Sequence, residues 1–163
     1  MTNITRSIKL QLVVLIGALA LSNLVAAETG TGYSINVKVD PKTMADGTII
    51  QETTADDIWL ITNQPQGFAS KMVASCSGVW VMGADYSNMG STFRCVARDA
   101  DGDGYVSVGH ISGADWSGCV IGTSGAWGKY TGAKLKATCS VSGPFAGPDT
   151  GAYTWAGEWD LPK

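Results

Sequence analysis

The chain has 163 residues, of which 45% are hydrophobic and 15% are charged, and its 14 acidic groups outnumber its 11 basic ones. A chain of this length can bury one substantial core but not two, and an excess of negative charge makes polyanions poor partners. We therefore expect a single domain that does not bind nucleic acid.

The first part of the chain has the order of features found in a secretory signal peptide. Arg6 and Lys9 precede the apolar run Leu10 to Ala20, and small residues lead to a cleavage point that we predict after Ala27. An uncleaved membrane anchor is the alternative, but polar residues interrupt the apolar stretch before it reaches the roughly 20 residues that a span requires. We therefore predict that residues 1–27 form a helical signal peptide and that the protein is secreted or periplasmic, with no membrane span after cleavage.

The mature chain, residues 28–163, is acidic and contains every cysteine. Cleavage lowers the 11 basic groups to nine against 14 acidic ones, which gives a net charge of −5. An even number of cysteines in an oxidising compartment indicates two disulfides. A structural zinc site is the alternative, but the chain has no C-x-x-C pair and one histidine, which does not fit the usual ligand spacing. The cysteines are Cys76, Cys95, Cys119 and Cys139.

The mature chain begins with patterns typical of β-strands. The first is an alternation between Gly32 and Asp40, which predicts a half-buried strand. Its hydrophobic face consists of Tyr33, Ile35, Val37 and Val39. Two short β-branched runs follow, Thr48 to Thr54 and Ile58 to Thr62, and we predict that Ala55 to Asp57 separates them as a break. The segment Phe68 to Ser75 fits either a short strand or a single helical turn.

A β-hairpin is predicted in the middle of the chain, after a strand from Cys76 to Met82. Its strands are Ser91 to Ala97 and Tyr105 to Ile111, joined by an aspartate- and glycine-rich turn. In this arrangement Cys95 points inward and can meet Cys76 across a strand pair. That bridge would close a loop of about 20 residues and stabilise the fold by about 3 kcal/mol in the chain-entropy model.

The remaining strands complete an all-β pattern. We predict a strand at Trp116 to Gly122, a glycine-rich bend at Thr123 to Gly128, and strands at Ala133 to Val141 and Tyr153 to Leu161. About eight short strands with glycine at most junctions indicate one antiparallel β-domain, either a closed barrel or a sandwich. We favour the barrel because closure removes exposed strand edges.

The order of several motifs resembles a group of small secreted bacterial proteins and, more distantly, the allene oxide cyclase type of eight-stranded β-barrel. The motifs are Cys76-x-Gly78, Cys95, the Asp-Ala-Asp-Gly-Asp turn at 99–103, the glycine-rich run at 121–132, and the closing Tyr153-x-Trp-x-Gly-x-Trp-x-Leu segment. The resemblance implies a barrel with a Cys76–Cys95 bridge and leaves Cys119–Cys139 as the second pair. It transfers no catalytic residues, because no position here matches the cyclase's active site.

A weak calcium site is suggested by the central turn. Asp99, Asp101 and Asp103 have the spacing of the first ligands in a calcium-binding loop. The twelfth position, however, is His110 instead of a bidentate glutamate, and the flanking segments read as strands where helices are needed. The alternative is a solvated hairpin turn whose aspartates bind backbone amides, and no other cofactor is indicated.

No catalytic residue can be assigned from the sequence. His110 is the sole candidate for proton transfer near neutral pH, but it shares a strand face with Val106 and Val108, which favours a packed or rim position. The chain has neither a Gly-x-Ser-x-Gly nucleophile motif nor a phosphate-binding glycine motif.

Aromatic residues at inward positions are the remaining candidate site. They either fill the barrel or line a space for one small ligand. Our leading hypothesis is non-catalytic binding of a small apolar or amphipathic molecule. There are two alternatives. One is an isomerase or cyclase whose barrel interior fixes the shape of the substrate, and the other is a structural or interaction module of the cell envelope. The candidate ligand-binding residues are Trp80, Phe93, Tyr153, Trp155 and Trp159.

Overall fold

The computed structural model describes residues 25–141 and 151–162. These residues form one closed barrel of eight antiparallel strands, which confirms the predicted barrel over the sandwich. The predicted signal peptide lies outside the described residues up to position 24, and Val25 already belongs to the first strand. The strands are β1 Val25–Thr43, β2 Ile49–Thr62, β3 Lys71–Met82, β4 Asn88–Arg98, β5 Gly104–Ile111, β6 Cys119–Trp127, β7 Lys134–Val141 and β8 Gly151–Asp160.

The strands follow one another around the barrel in chain order. Each strand pairs with the next, and β8 returns to pair with β1 from Val25 to Ser34. Because the sheet closes, each of the eight strands among residues 25–141 and 151–162 has a partner on both sides over part of its length. Within residues 25–141 and 151–162, no helix has the length and apolar character needed to cross a membrane.

Two clusters of buried side chains fill the two ends of the barrel. The Trp159 cluster lies where β2, β4 and β8 end, and it includes Ile61, Met72, Ala97, Tyr105, Tyr130 and Trp159. The Trp80 cluster lies at the opposite end, and it consists of Trp80, Met82, Ile111 and Cys119. Burial of these large apolar side chains supplies most of the driving force for folding.

The first strand departs from its predicted orientation. A β-bulge between Ile35 and Lys38 shifts the register, and Asn36 there has a φ of 53°. Asparagine tolerates this left-handed conformation better than most residues. The extra residue turns the preceding part of the strand over, so Tyr33 and Ile35 face outward and Ser34 faces the interior. The predicted inward face was therefore wrong before the bulge and correct at Val37 after it.

The second strand is continuous where the sequence predicted a break. Ala55, Asp56 and Asp57 have low strand propensity, but all three lie within β2 and pair with β3, and Asp56 and Asp57 also pair with β1. Sheet contacts on both sides override local propensity. Alternation through this segment places Ala55 and Asp57 inside the barrel and Asp56 outside.

Smaller differences concern where strands start and stop. The undecided segment Phe68 to Ser75 contributes the start of β3 at Lys71. The strand predicted from Trp116 begins at Cys119, and the predicted bend at Thr123 to Gly128 is mostly strand, since β6 continues to Trp127. The actual turn is the short 3₁₀ helix Gly128–Tyr130.

Both disulfides join residues that lie directly opposite each other on neighbouring strands. Cys76 of β3 pairs with Cys95 of β4, and Cys119 of β6 pairs with Cys139 of β7, with Cα–Cα distances of 4.1 and 5.0 Å. This is the pairing that the family resemblance implied. The bridges close segments of 19 and 20 residues, each of which stabilises the fold by about 3 kcal/mol in the chain-entropy model.

Candidate functional site

The interior of the barrel is hollow between the two end clusters. A cavity of about 70 Å³ lies there, about half the volume of an engineered apolar cavity of roughly 150 Å³ that holds benzene. Its wall contains six aromatic side chains and parts of both disulfides. The aromatic side chains that line it are Trp59, Trp80, Phe93, Tyr105, Tyr153 and Trp155.

Glycines in the wall explain why large aromatic side chains leave space at the centre. Three of the aromatic rings lie flat on a glycine directly opposite them in the neighbouring strand. A Cβ atom at any of these glycines would overlap the ring, so the ring can lie against the sheet only because the glycine has no side chain. The pairs are Gly30 with Trp155, Gly32 with Tyr153, and Gly109 with Phe93.

Asp57 is a buried carboxylate in the cavity wall, and the side chains that contact it approach only one of its two oxygens, Oδ2. The hydroxyl of Tyr153 donates a hydrogen bond to Asp57 Oδ2. The indole Nε1 of Trp59 donates to the Tyr153 hydroxyl oxygen at 2.6 Å and lies 3.4 Å from the same Oδ2. Burial, with the nearby negative charge of Asp57 second, raises the pKa of Tyr153 well above its usual value. Tyr153 is therefore a stable donor that fixes the carboxylate.

Three buried polar atoms of the cavity wall have no hydrogen-bond partner among the described residues. They are Asp57 Oδ1, Thr53 Oγ1 and the Tyr105 hydroxyl, and their residues are 3%, 5% and 1% exposed. Leaving such an atom unsatisfied costs about 1–3 kcal/mol. Buried polar atoms that face a cavity without a partner are a feature of sites that bind a ligand.

A second buried acid, Glu28, lies outside the cavity lining and is satisfied by the protein. Its two carboxylate oxygens accept hydrogen bonds from the indole Nε1 groups of Trp155 at 3.0 Å and Trp159 at 2.5 Å. Burial raises the pKa of Glu28, and the two indole hydrogen bonds offset part of that increase. Glu28 thus joins two aromatic residues of β8 to the first strand and leaves no oxygen free for a ligand.

Four of the five predicted ligand-binding residues line the cavity. Trp80, Phe93, Tyr153 and Trp155 do so, whereas Trp159 is fully buried in the cluster at one end. Trp159 packs edge-on against Tyr105 and Phe68, so it closes the barrel instead of facing the cavity.

Asp57, Trp59 and Tyr105 line the cavity but were not among the predicted ligand-binding residues. Asp57 and Trp59 are two residues apart, so they share a face of any continuous strand. That signal was present, but the predicted break at residues 55–57 hid it. Tyr105 lies inward at the start of β5, where the alternation of the predicted hairpin would have placed it.

A lysine forms ion pairs with two of the three carboxylates of the aspartate-rich turn. The ammonium group of Lys129 lies 2.8 Å from a carboxylate oxygen of Asp99 and 2.8 Å from one of Asp101. Asp99 also accepts hydrogen bonds from the backbone N–H groups of Asp101 and Asp103. Burial opposes ionisation of Asp99, but Lys129 and these N–H groups outweigh it and lower the pKa of the carboxyl. The geometry favours the hairpin-turn interpretation over the calcium site.

The other predicted or candidate polar sites carry no assembled chemistry. His110 is exposed on the outer wall, on the same face as Val108. In the described part of the chain, the one set of three ligand-type side chains within 4.8 Å of one another is Asp57, Cys76 and Cys95. The two cysteines form a disulfide and therefore lack the thiolate that binds a metal.

Comparison with known proteins does not assign the chain to a family. No family model, curated protein or solved structure matches it. The resemblance to allene oxide cyclase barrels therefore stays a prediction.

Proposed function

We propose that the protein is a non-catalytic binding protein that holds one small apolar or amphipathic molecule inside its barrel. The observation that carries this proposal is the aromatic cavity with unsatisfied polar atoms in its wall. A barrel that served only as a structural or interaction module would gain stability from a filled interior, because each void loses packing contacts. A binding site instead needs the space.

The dimensions of the cavity limit the ligand. A volume of about 70 Å³ suits a molecule with a handful of non-hydrogen atoms, given that about 150 Å³ holds benzene. Long-chain lipids exceed this space. We therefore propose a short-chain or small-ring ligand.

We further propose that the protein acts in the periplasm or outside the cell. Two disulfides are compatible with such a compartment, since disulfides persist where the environment is oxidising. The predicted signal peptide gives independent support from the sequence.

Ligand binding can be tested with a variant that places a larger side chain in the cavity wall. Ala55 lies in the cavity wall and Ala156 is exposed on the outer face of β8, so Ala55→Val and Ala156→Val add the same two methyl groups inside and outside. Tryptophan fluorescence is titrated with short-chain and small-ring compounds. We expect Ala55→Val to weaken binding at least tenfold and Ala156→Val to leave it unchanged. No response of the unmodified protein, together with no extractable ligand, would refute the proposal.

An isomerase or cyclase is a second candidate, and the position of Asp57 favours it. A buried carboxylate with one free oxygen facing a cavity can transfer a proton to or from a bound molecule. Incubation of the protein with its extracted ligand distinguishes the two functions. A binding protein returns the compound unchanged, whereas a cyclase or isomerase yields a product of equal mass with altered NMR spectrum, and Asp57→Asn abolishes that conversion.

A further inference from the structure

We propose that the ligand of the cavity is a small primary amine in its protonated form, held by Asp57 and by the aromatic rings around it. This inference rests on the proposed binding function and specifies the chemistry of the ligand. It follows from the distribution of charge in the barrel, from the free oxygen of Asp57, and from the length of the cavity.

The interior of the barrel contains acids and no bases. Glu28 and Asp57 are 2% and 3% exposed, whereas every lysine, arginine and histidine in residues 25–141 and 151–162 is exposed. A buried charge without a partner is strongly unfavourable. Indole N–H donors reach both oxygens of Glu28, whereas the donors to Asp57 reach only Oδ2 and leave Oδ1 without a partner among the described residues.

The hydrogen-bonding pattern of Asp57 identifies what its partner must supply. Tyr153 and Trp59 both approach Oδ2, and Oδ1 has no partner among the described residues. A ligand at Oδ1 must therefore be a hydrogen-bond donor. An alcohol would satisfy the oxygen but leave the charge unpaired, whereas an ammonium group satisfies both, and charge-assisted hydrogen bonds are about twice as strong as neutral ones.

The aromatic rings beside Asp57 also favour a cation. Trp59 packs against Trp155 with ring centroids 5.4 Å apart and against Tyr105 at 5.9 Å. All three rings line the same cavity as Asp57, and the faces of such rings attract ammonium groups. The hydroxyl of Tyr105, which also lines the cavity, has no partner among the described residues.

The remainder of the cavity accommodates an apolar chain. The lining extends along β2 from Asp57 to Thr53, four residues or about 13 Å at the usual strand rise. Beyond Asp57 the wall is formed by Ala55, Phe93 and Trp80, none of which carries a charge. We therefore place the ammonium group at Asp57 and a short hydrocarbon chain toward Trp80.

The test compares ligands of the same size that differ in charge. The purified, disulfide-bonded protein is titrated by calorimetry with n-butylamine, n-butanol and butyrate at pH 7 in sodium phosphate, which contains no competing amine. We expect the amine to bind at least about tenfold more tightly than the alcohol, and butyrate not to bind. Equal binding of amine and alcohol would overturn this inference while leaving the proposed binding function intact. If n-butylamine, n-butanol and a neutral hydrocarbon all fail to bind, both proposals fail.

Two variants test whether the charge of Asp57 is the one that binds the amine. Asp57→Asn keeps the shape of the side chain and removes its charge, and Asp56→Asn makes the same change one residue away on the outer face of β2. We expect Asp57→Asn to weaken butylamine binding at least about tenfold and to change butanol binding less than threefold, with Asp56→Asn matching the unmodified protein. Equal loss in both variants would overturn the inference. Should Asp57→Asn not fold, the ligand comparison on the unmodified protein decides alone.

Discussion

The hydrogen bond between Tyr153 and Asp57 is the contact of the cavity wall whose strength can be measured most directly. Tyr153→Phe removes the donor to Asp57 Oδ2 and also the acceptor of the Trp59 indole. A hydrogen bond to a charged group contributes about 1.5–3 kcal/mol, and a neutral one about 0.5–1.5 kcal/mol. We therefore expect Tyr153→Phe to lower the free energy of unfolding by about 2–4 kcal/mol in the unmodified protein.

A double-mutant cycle isolates the part that depends on the carboxylate. In an Asp57→Asn background both hydrogen bonds of the tyrosine hydroxyl are neutral, so Tyr153→Phe should cost about 1–3 kcal/mol. The coupling energy is then about 1–2 kcal/mol, and urea unfolding monitored by circular dichroism measures it. Tyr33→Phe removes the same hydroxyl from a ring that is 46% exposed on the outer wall and should change stability by less than about 0.5 kcal/mol.

Tyr153→Phe should also change how the stability of the protein depends on pH in the alkaline range. Burial and the charge of Asp57 raise the pKa of Tyr153 above its usual value of 10.0, so the folded protein retains a proton that the unfolded chain loses. Stability therefore falls as the pH rises above about 10, by at most about 1.4 kcal/mol per pH unit for one group. Tyr153→Phe should remove the part of this slope that Tyr153 contributes, while Tyr105, whose pKa burial also raises well above the usual value, keeps its own part. Additive single-variant effects and an unchanged alkaline slope would refute the assigned contact between Tyr153 and Asp57.

Four further variants test the cavity wall and the sheet by urea unfolding. Tyr105→Phe removes an unsatisfied buried hydroxyl and should leave stability unchanged or raise it by up to about 1 kcal/mol, while weakening amine binding. Gly30→Ala forces an indole off the sheet and should cost about 1–3 kcal/mol. Asn36→Val places a β-branched residue at positive φ and should cost about 1–2 kcal/mol, whereas Asn36→Gly should not. Replacing Cys119 and Cys139 together by alanine should cost about 3 kcal/mol.

Each of these expectations has an outcome that contradicts it. A marked loss of stability in Tyr105→Phe would mean that its hydroxyl has a partner in the folded protein. Tolerance of Gly30→Ala would show that the opposing ring does not lie on the glycine. Equal effects of valine and glycine at Asn36 would contradict the left-handed conformation of the bulge. A disulfide variant as stable as the unmodified protein under non-reducing conditions would show that the bridge does not constrain the unfolded chain.

The parts of the fold that sequence could predict are those with strong alternation. The strands that contain Leu135 and Trp155 each alternate without interruption, and their inward faces were predicted correctly. Alternation fails as a guide where the backbone itself changes register. Nothing in the pattern around Asn36 distinguishes a bulge from a regular strand, because the hydrophobic residues on the two sides of it continue the same alternation.

Part of the candidate site could also be predicted from the alternation along the strands. Aromatic residues at inward positions were identified from alternation, and most of them line the cavity. The carboxylate was missed because local propensity treats an aspartate within an Ala-Asp-Asp segment as a turn. Its burial depends on Tyr153, which is 96 residues away in the chain, and contacts at such a separation are not visible in a local pattern.

The way in which the barrel closes has a consequence for how the protein is made. Both disulfides connect consecutive strands, so each can form as soon as its own hairpin has entered an oxidising compartment. The seam between β1 and β8, by contrast, joins Val25 to Asp160, and contacts this distant in sequence form slowly. We therefore expect the oxidised hairpins to keep an open sheet edge until the last strand has joined the first. A chain shortened at either end would keep that edge and should aggregate instead of accumulating as a soluble protein.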